Sequence, residues 1–76
     1  MKAIVTVMLK KSVLDPQGEA VKFALCGLGF SGVNGVRQGK LIELDLADGT
    51  DAAQVDEMCK RLLVNAVIES YTLEIL

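Results

Sequence analysis

The stretch "LDPQGEAVKFALCGLG", residues 14–29, decides how this chain is to be read. Asp15 is a helix-capping residue, and Pro16 then falls at the first helical position, where its missing N–H does no harm. Val21, Ala24, Leu25 and Leu28 follow at the i, i+3, i+4, i+7 spacing of a core-facing helix. Gly29 supplies the residue that ends such a helix. Upstream, residues 3–11 alternate Ala3, Val5, Val7 and Leu9 with Ile4, Thr6, Met8 and Lys10, the period of a strand apolar on both faces. The chain therefore opens strand–helix.

Downstream, a second extended region runs from about Val33 to Leu46. Its later half sets Ile42, Leu44 and Leu46 against Glu43 and Asp45. Gln38-Gly39 is either a tight turn that splits it into a hairpin or a bulge in one long bent strand. "ADGTDAA" is a loop with helix-start chemistry. Thr50 is the expected cap, and Asp51 suits the positive helix end. Val55, Met58, Cys59 and Leu62 repeat the helical stripe, Lys60 and Arg61 suit its negative end, and Asn65 is placed to stop it in the left-handed conformation. The last strand is expected over Val67 to Ile75.

The order β-α-β(β)-α-β predicts a small α/β (α+β) sandwich of ferredoxin-like type. Both helices should lie on one face of a largely antiparallel sheet. All 76 residues are expected to form one domain, 1–76. A chain of this size buries only roughly 60–65% of its unfolded surface and usually needs reinforcement. Hydrophobic residues make up 51% of it, and mean hydropathy is +0.41. Ile4, Met8, Leu41, Ile68 and Leu76 have the parity to leave apolar surface on the other sheet face. A homodimer or higher oligomer, closed through that face, is the expectation.

Several chemistries are disfavoured. The net charge is −2 and the pI about 4.9, against nonspecific nucleic-acid binding, which needs clustered cations. The few aromatics, Phe23, Phe30 and Tyr71, do not suit base stacking on a sheet. The first apolar run is too short for a membrane span and lacks a signal-peptide cleavage site, so a cytoplasmic protein is expected. "GLGFSG" (27–32) has the glycine spacing of a dinucleotide loop, but it follows a helix instead of opening one. With no histidine, neither a zinc site nor a positioned base for Ser or Cys is expected. Cys26 and Cys59 are read as buried reduced thiols, with a disulfide or a reactive thiol as the alternatives. Glu43 and Asp45 read as a solvated strand face. Lys10, Arg37 and Lys40 gather near the Gln38-Gly39 corner, either as solvated charge or as an anchor for an acidic partner or a phosphate.

Four segments carry a resemblance: "LDPQGEA" (14–20), "AL…LGF" (24–30), "VRQGKLIEL" (36–44) and "LLVNAVIESYTLEI" (62–75). Together, in this order and spacing, the chain resembles the PurS family, the small subunit of phosphoribosylformylglycinamidine synthase in purine biosynthesis. Ala66 departs from the proline usual in the family's N-P-V-I-E segment. The resemblance implies a non-catalytic adaptor within an ATP-dependent ligase. Such a subunit bridges a glutaminase (PurQ-type) and a synthetase (PurL-type), so that ammonia from glutamine converts formylglycinamide ribonucleotide to its amidine. It implies no catalytic residue, metal or cofactor in this chain, with ATP and magnesium used by the synthetase. Lys10, Asp15, Gln17, Gly18, Arg37, Gly39, Lys40, Asn65 and Glu69 are the expected partner-binding residues. The competing function is a ferredoxin-like dimer that senses a small molecule; Arg37 and Lys40 would then meet the ligand.

Overall fold

The computed structural model describes residues 1–76. Its elements are β1 (Lys2–Leu9), α1 (Pro16–Gly27), β2 (Gly39–Asp45), α2 (Ala52–Met58) with a π-helical turn (Cys59–Leu63), and β3 (Glu69–Ile75). The sheet has the order β2-β1-β3, and both pairings are antiparallel. An open antiparallel sheet with two helices is the ferredoxin-like α/β arrangement that the sequence predicts.

Strand alternation explains the core. On one face Val5 lies between Ile42 and Leu73, Ala3 between Leu44 and Ile75, and Val7 between Lys40 and Tyr71. The second helical layer supplies Val55, Cys59 and Val64, which are buried together with Ala3, Val5 and Val7. The π turn is what lets Cys59 and Val64 share this side. Val64 N–H donates to Cys59 O at 2.9 Å, the i→i+5 bond that defines the turn. Tyr71 O–H donates to Asp56, and Asp56 pairs with Lys60 at 3.0 Å, so a polar bridge joins β3 to α2 at the rim of the core.

The opposite face is mixed. Ile4 sits between Glu43 and Glu74, Thr6 between Leu41 and Thr72, and Met8 between Gly39 and Ser70. Its apolar residues are separated by polar ones, and Lys2 pairs with Glu43 across it at 3.2 Å. Ile68 and Leu76 lie outside the strands.

Several local expectations change. The extended region is strand only from Gly39, so Val33–Gln38 forms neither a hairpin arm nor a bent continuation of β2. Asp51, not Thr50, caps α2: its carboxylate accepts from Gln54 N–H at 2.9 Å, while Thr50 O–H donates back to Ala47 O. Asn65 does not turn left-handed, since only Gly29 and Gly49 have positive φ. Val64 leaves the π turn in extended conformation, and the Asn65 side chain accepts from Val67 N–H. β3 consequently starts at Glu69, two residues later than expected. Cys26 is exposed, and only Cys59 is buried. The stripe of α2 is buried at Val55 and Cys59; that of α1 is not, and Gly18 is the only buried residue of α1.

Cys59 thus fills space against Val5 and Val7. Cys59→Ala is expected to lower unfolding free energy by about 1–2 kcal/mol, read from urea denaturation at fixed protein concentration with an unchanged slope.

Candidate functional site

The polar residues singled out in the sequence converge at the end of β1. Asp15 follows the strand and caps α1; its Oδ1 accepts from Gly18 N–H at 2.9 Å. Its Oδ2 accepts from Gln38 N–H at 2.7 Å, immediately before β2. One carboxylate therefore ties the point where the chain leaves the sheet to the point where it returns. Arg37 adds a second tie, its guanidinium donating to the Leu9 carbonyl. Lys40, opposite Val7, reaches Glu69 of β3 at 3.9 Å. Glu69 in turn accepts from Asn65 N–H at 2.7 Å, and its own N–H donates to Asn65 O at 2.7 Å. Lys10 N–H donates to Ile68 O at 2.8 Å, which closes the loop before β3 against the end of β1.

These residues border an open cleft of about 210 Å³, lined by Val7, Leu9, Asp15, Gln17, Gln38, Gly39, Lys40 and Glu69. Two glycines make the close approaches possible. A Cβ on Gly18 would overlap the Val36 carbonyl and the Asp15 carboxylate, and one on Gly39 would overlap the Val7 carbonyl and the Met8 sulfur. Of the nine residues expected to form a binding surface, all lie at this end. Asp15, Gln17, Gly39, Lys40 and Glu69 either line the cleft or bond across it. Gly18 and Asn65 bond to the residues that line it; Arg37 lines a neighbouring cleft with Leu9 and Asp15, and Lys10, next to Leu9, is exposed.

The electrostatics describe fastening. Hydrogen bonds from Gln38 and then Gly18 hold the Asp15 carboxyl below its ordinary value of 3.8. Elsewhere, the Tyr71 hydroxyl and Lys60 hold Asp56 below the ordinary range, and the same bond raises Tyr71. Burial, reinforced by Asp56, pushes the Cys59 thiol up, which suppresses the thiolate that nucleophilic chemistry requires. The Asp56–Tyr71–Lys60 bridge was not foreseen. The i, i+4 spacing of Asp56 and Lys60 was legible, but nothing local signals that Tyr71 meets them.

Taken together, this is a small ferredoxin-like subunit whose polar groups hold backbone and present a surface. The chain belongs to the PurS family: the model for PurS, phosphoribosylformylglycinamidine (FGAM) synthase, matches residues 2–76. Its relatives include the synthase subunit PurS of Mycobacterium leprae, 44% identical over 72 residues, covering 95% of this chain and 91% of that one. The solved structure of Bacillus subtilis PurS superposes with a TM-score of 0.87 at 48% identity, covering 96% of this chain and 94% of that one. A chain of the PurLQS structure from Thermotoga maritima matches with a TM-score of 0.80 at 32% identity, covering 99% and 95%.

Two outcomes follow from this geometry. Gly39→Ala should destabilise the fold by about 1–3 kcal/mol, because the methyl group meets backbone that cannot move without shifting β1, as a thermal melt will show. For Asp15, a folded pKa below the unfolded one means that its contribution is complete above the ordinary carboxylate value. It is then lost as pH falls through the lower folded value. Asp15→Asn should lower the melting temperature at neutral pH and flatten the fall in melting temperature below about pH 4. Parallel pH profiles of the two proteins would contradict the assignment.

Proposed function

We propose that this chain is the non-catalytic adaptor subunit of phosphoribosylformylglycinamidine synthase, a cytoplasmic ATP-dependent ligase of purine biosynthesis. In this reading it is a homodimer or higher oligomer. It bridges a glutaminase subunit, which frees ammonia from glutamine, and a synthetase subunit, which uses ATP and magnesium to convert formylglycinamide ribonucleotide to the amidine. Family membership over residues 2–76 carries the reading. Likeness to a chain of the PurLQS structure supports assembly with subunits of those types. No helix is long and apolar enough to cross a membrane.

The physical logic is one of register. Free ammonia at neutral pH is mostly protonated and lost to solvent, so two separate active sites must be held facing each other. An adaptor meets that need with a rigid surface and no chemistry of its own. The cleft end is the proposed contact, with Lys10, Asp15, Gln17, Gly18, Arg37, Gly39, Lys40, Asn65 and Glu69 forming or supporting it. Arg37 is the proposed anchor, because a planar guanidinium is a frequent hot spot in partly desolvated interfaces.

Reconstitution tests the reading. The purified chain alone should hydrolyse neither glutamine nor ATP, and adding it to the glutaminase and synthetase subunits should restore glutamine-dependent amidine formation. Glutaminase activity that stays with this chain through purification, or a synthase indifferent to it, would refute the proposal. Arg37→Ala should weaken co-assembly by roughly 2 kcal/mol and, through loss of its bond to the Leu9 carbonyl, lower the stability of the isolated chain by only about 1 kcal/mol. Lys40→Ala should act in the same direction but more mildly, as quantitative pull-down at two salt concentrations will show.

A further inference from the structure

Helix α2 ends in a turn that holds one residue too many. Val64 N–H donates to Cys59 O at 2.9 Å, where a straight helix would bond Leu63 N–H to the same carbonyl. The surplus sets each later side chain back by about 100°, the rotation of one residue. Leu63 therefore points where a straight helix would point Leu62, and Val64 takes the place of Leu63. Exposure agrees. Leu62, which the spacing from Val55 and Cys59 lines up for the core, is 84% exposed. Leu63 packs against the core cluster instead, and Val64 is buried within it.

Three consecutive apolar residues, Leu62-Leu63-Val64, stand at this turn. They have two core positions to fill, and either neighbouring pair fits. Leu63 with Val64 fills them in the register observed; Leu62 with Leu63 would fill them in a straight helix. The second pair is larger by one methylene group, which opposes it through overpacking. Regular i→i+4 bonding in place of the rare π turn favours it. The two effects have opposite sign, and neither is large.

The slack is confined. Upstream, Tyr71 O–H holds Asp56, and Asp56–Lys60 and Glu57–Arg61 each pair at 3.0 Å with the i,i+4 spacing that a straight helix also supplies. Downstream, Asn65 N–H donates to Glu69 Oε1 at 2.7 Å, and the N–H groups of Ile68 and Glu69 donate to Asn65 O at 3.1 and 2.7 Å. That closed turn is fixed to the start of β3. Only residues 59–64, between the two ties, are free to take up or release a residue. Those that would trade places, 62–64, carry no charge, so the exchange drags no charged group through the core.

We infer that the end of α2 is a two-register switch. In the major form the π turn holds Leu62 outward and buries Leu63 with Val64. In the minor form the turn relaxes to α, Leu62 and Leu63 fill the core, and Val64 moves out beside the Asn65 turn. The sheet, α1 and the Tyr71–Asp56 tie are common to both. The switch decides which apolar side chain the surface offers. A contact that grips Leu62 selects the π register, and one that takes up Val64 selects the other. The inference stands on this chain's own geometry and is independent of the adaptor reading.

Methyl relaxation dispersion on the full chain, with ¹³C-labelled leucine and valine, tests it. A minor form populated at about 1–10% should give dispersion at Leu62, Leu63 and Val64 with one shared exchange rate. Leu62→Asp places at the turn a charge that the core excludes, and should flatten the Leu63 and Val64 profiles while the fold persists. Deleting Leu62 removes the surplus residue, so that Val64 N–H meets Cys59 O at the α spacing. The shortened chain should fold with an equal or higher melting temperature and show flat profiles. Flat profiles in the unaltered chain, separate rates at the three residues, or dispersion that persists in Leu62→Asp overturn the switch. A shortened chain that fails to fold overturns it too, because residue 62 would then not be surplus.

Discussion

The carboxylate of Asp15 fastens the two places where the chain quits the sheet and rejoins it. Everything on either side depends on that root. If Gln38 were released, the entry into β2 would lose its fixed start next to β1. Gly39 could then no longer hold its close approach to Val7 and Met8. If Gly18 were released, the first turn of α1 would lose the acceptor for one of its orphan N–H groups. A charged acceptor serving two backbone donors is stronger than a neutral one. This explains why an aspartate stands here and why its proton is held so weakly.

Size sets the second constraint. The buried core consists of Ala3, Val5, Val7, Val55, Cys59 and Val64, all small or medium side chains. Such a core closes one helical layer on three strands and no more. The larger apolar residues, Phe23, Phe30, Leu28, Leu41 and Leu62, remain outside it. A protein with its bulkiest hydrophobes at the surface and its smallest in the core is arranged for association. The adaptor role proposed above fits that arrangement, because apolar surface left open in the single chain is closed by what it binds.

Much of this was legible in the residues. β1 was readable as a short apolar run with loose alternation, β2 from the clean alternation of Ile42, Leu44 and Leu46 with Glu43 and Asp45, α1 from Asp15-Pro16 and its stripe, and α2 from Val55 and Cys59. The nine polar and glycine positions singled out lie at one end of the sheet, and their contact with a partner is the proposal made above. What misled was local chemistry with two acceptable answers. Thr50 and Asp51 can both cap a helix, and the carboxylate that reaches Gln54 N–H settled it. Asn65 can stop a helix by turning left-handed or by bonding onward, and the π turn favoured the second, since Val64 was already extended. Val33–Gln38 has strand composition but pairs with no other strand, and composition does not create a hydrogen-bonding neighbour.

The sequence by itself determined element types, the capping of α1, the parity of the sheet faces and the family, because each is written in nearest-neighbour spacing or in motif order. Only the tertiary structure decided which apolar stripe is buried. Two stripes of nearly equal spacing, Val21–Leu28 and Val55–Leu62, look alike along the chain. The π turn and the Tyr71–Asp56 bond draw the second onto β1, while the Asp15 root sends the first outward. Burial depends on where an element's ends are fastened, and those fastenings join residues as far apart as Asp15 and Gln38, or Asp56 and Tyr71, a separation that no periodicity records.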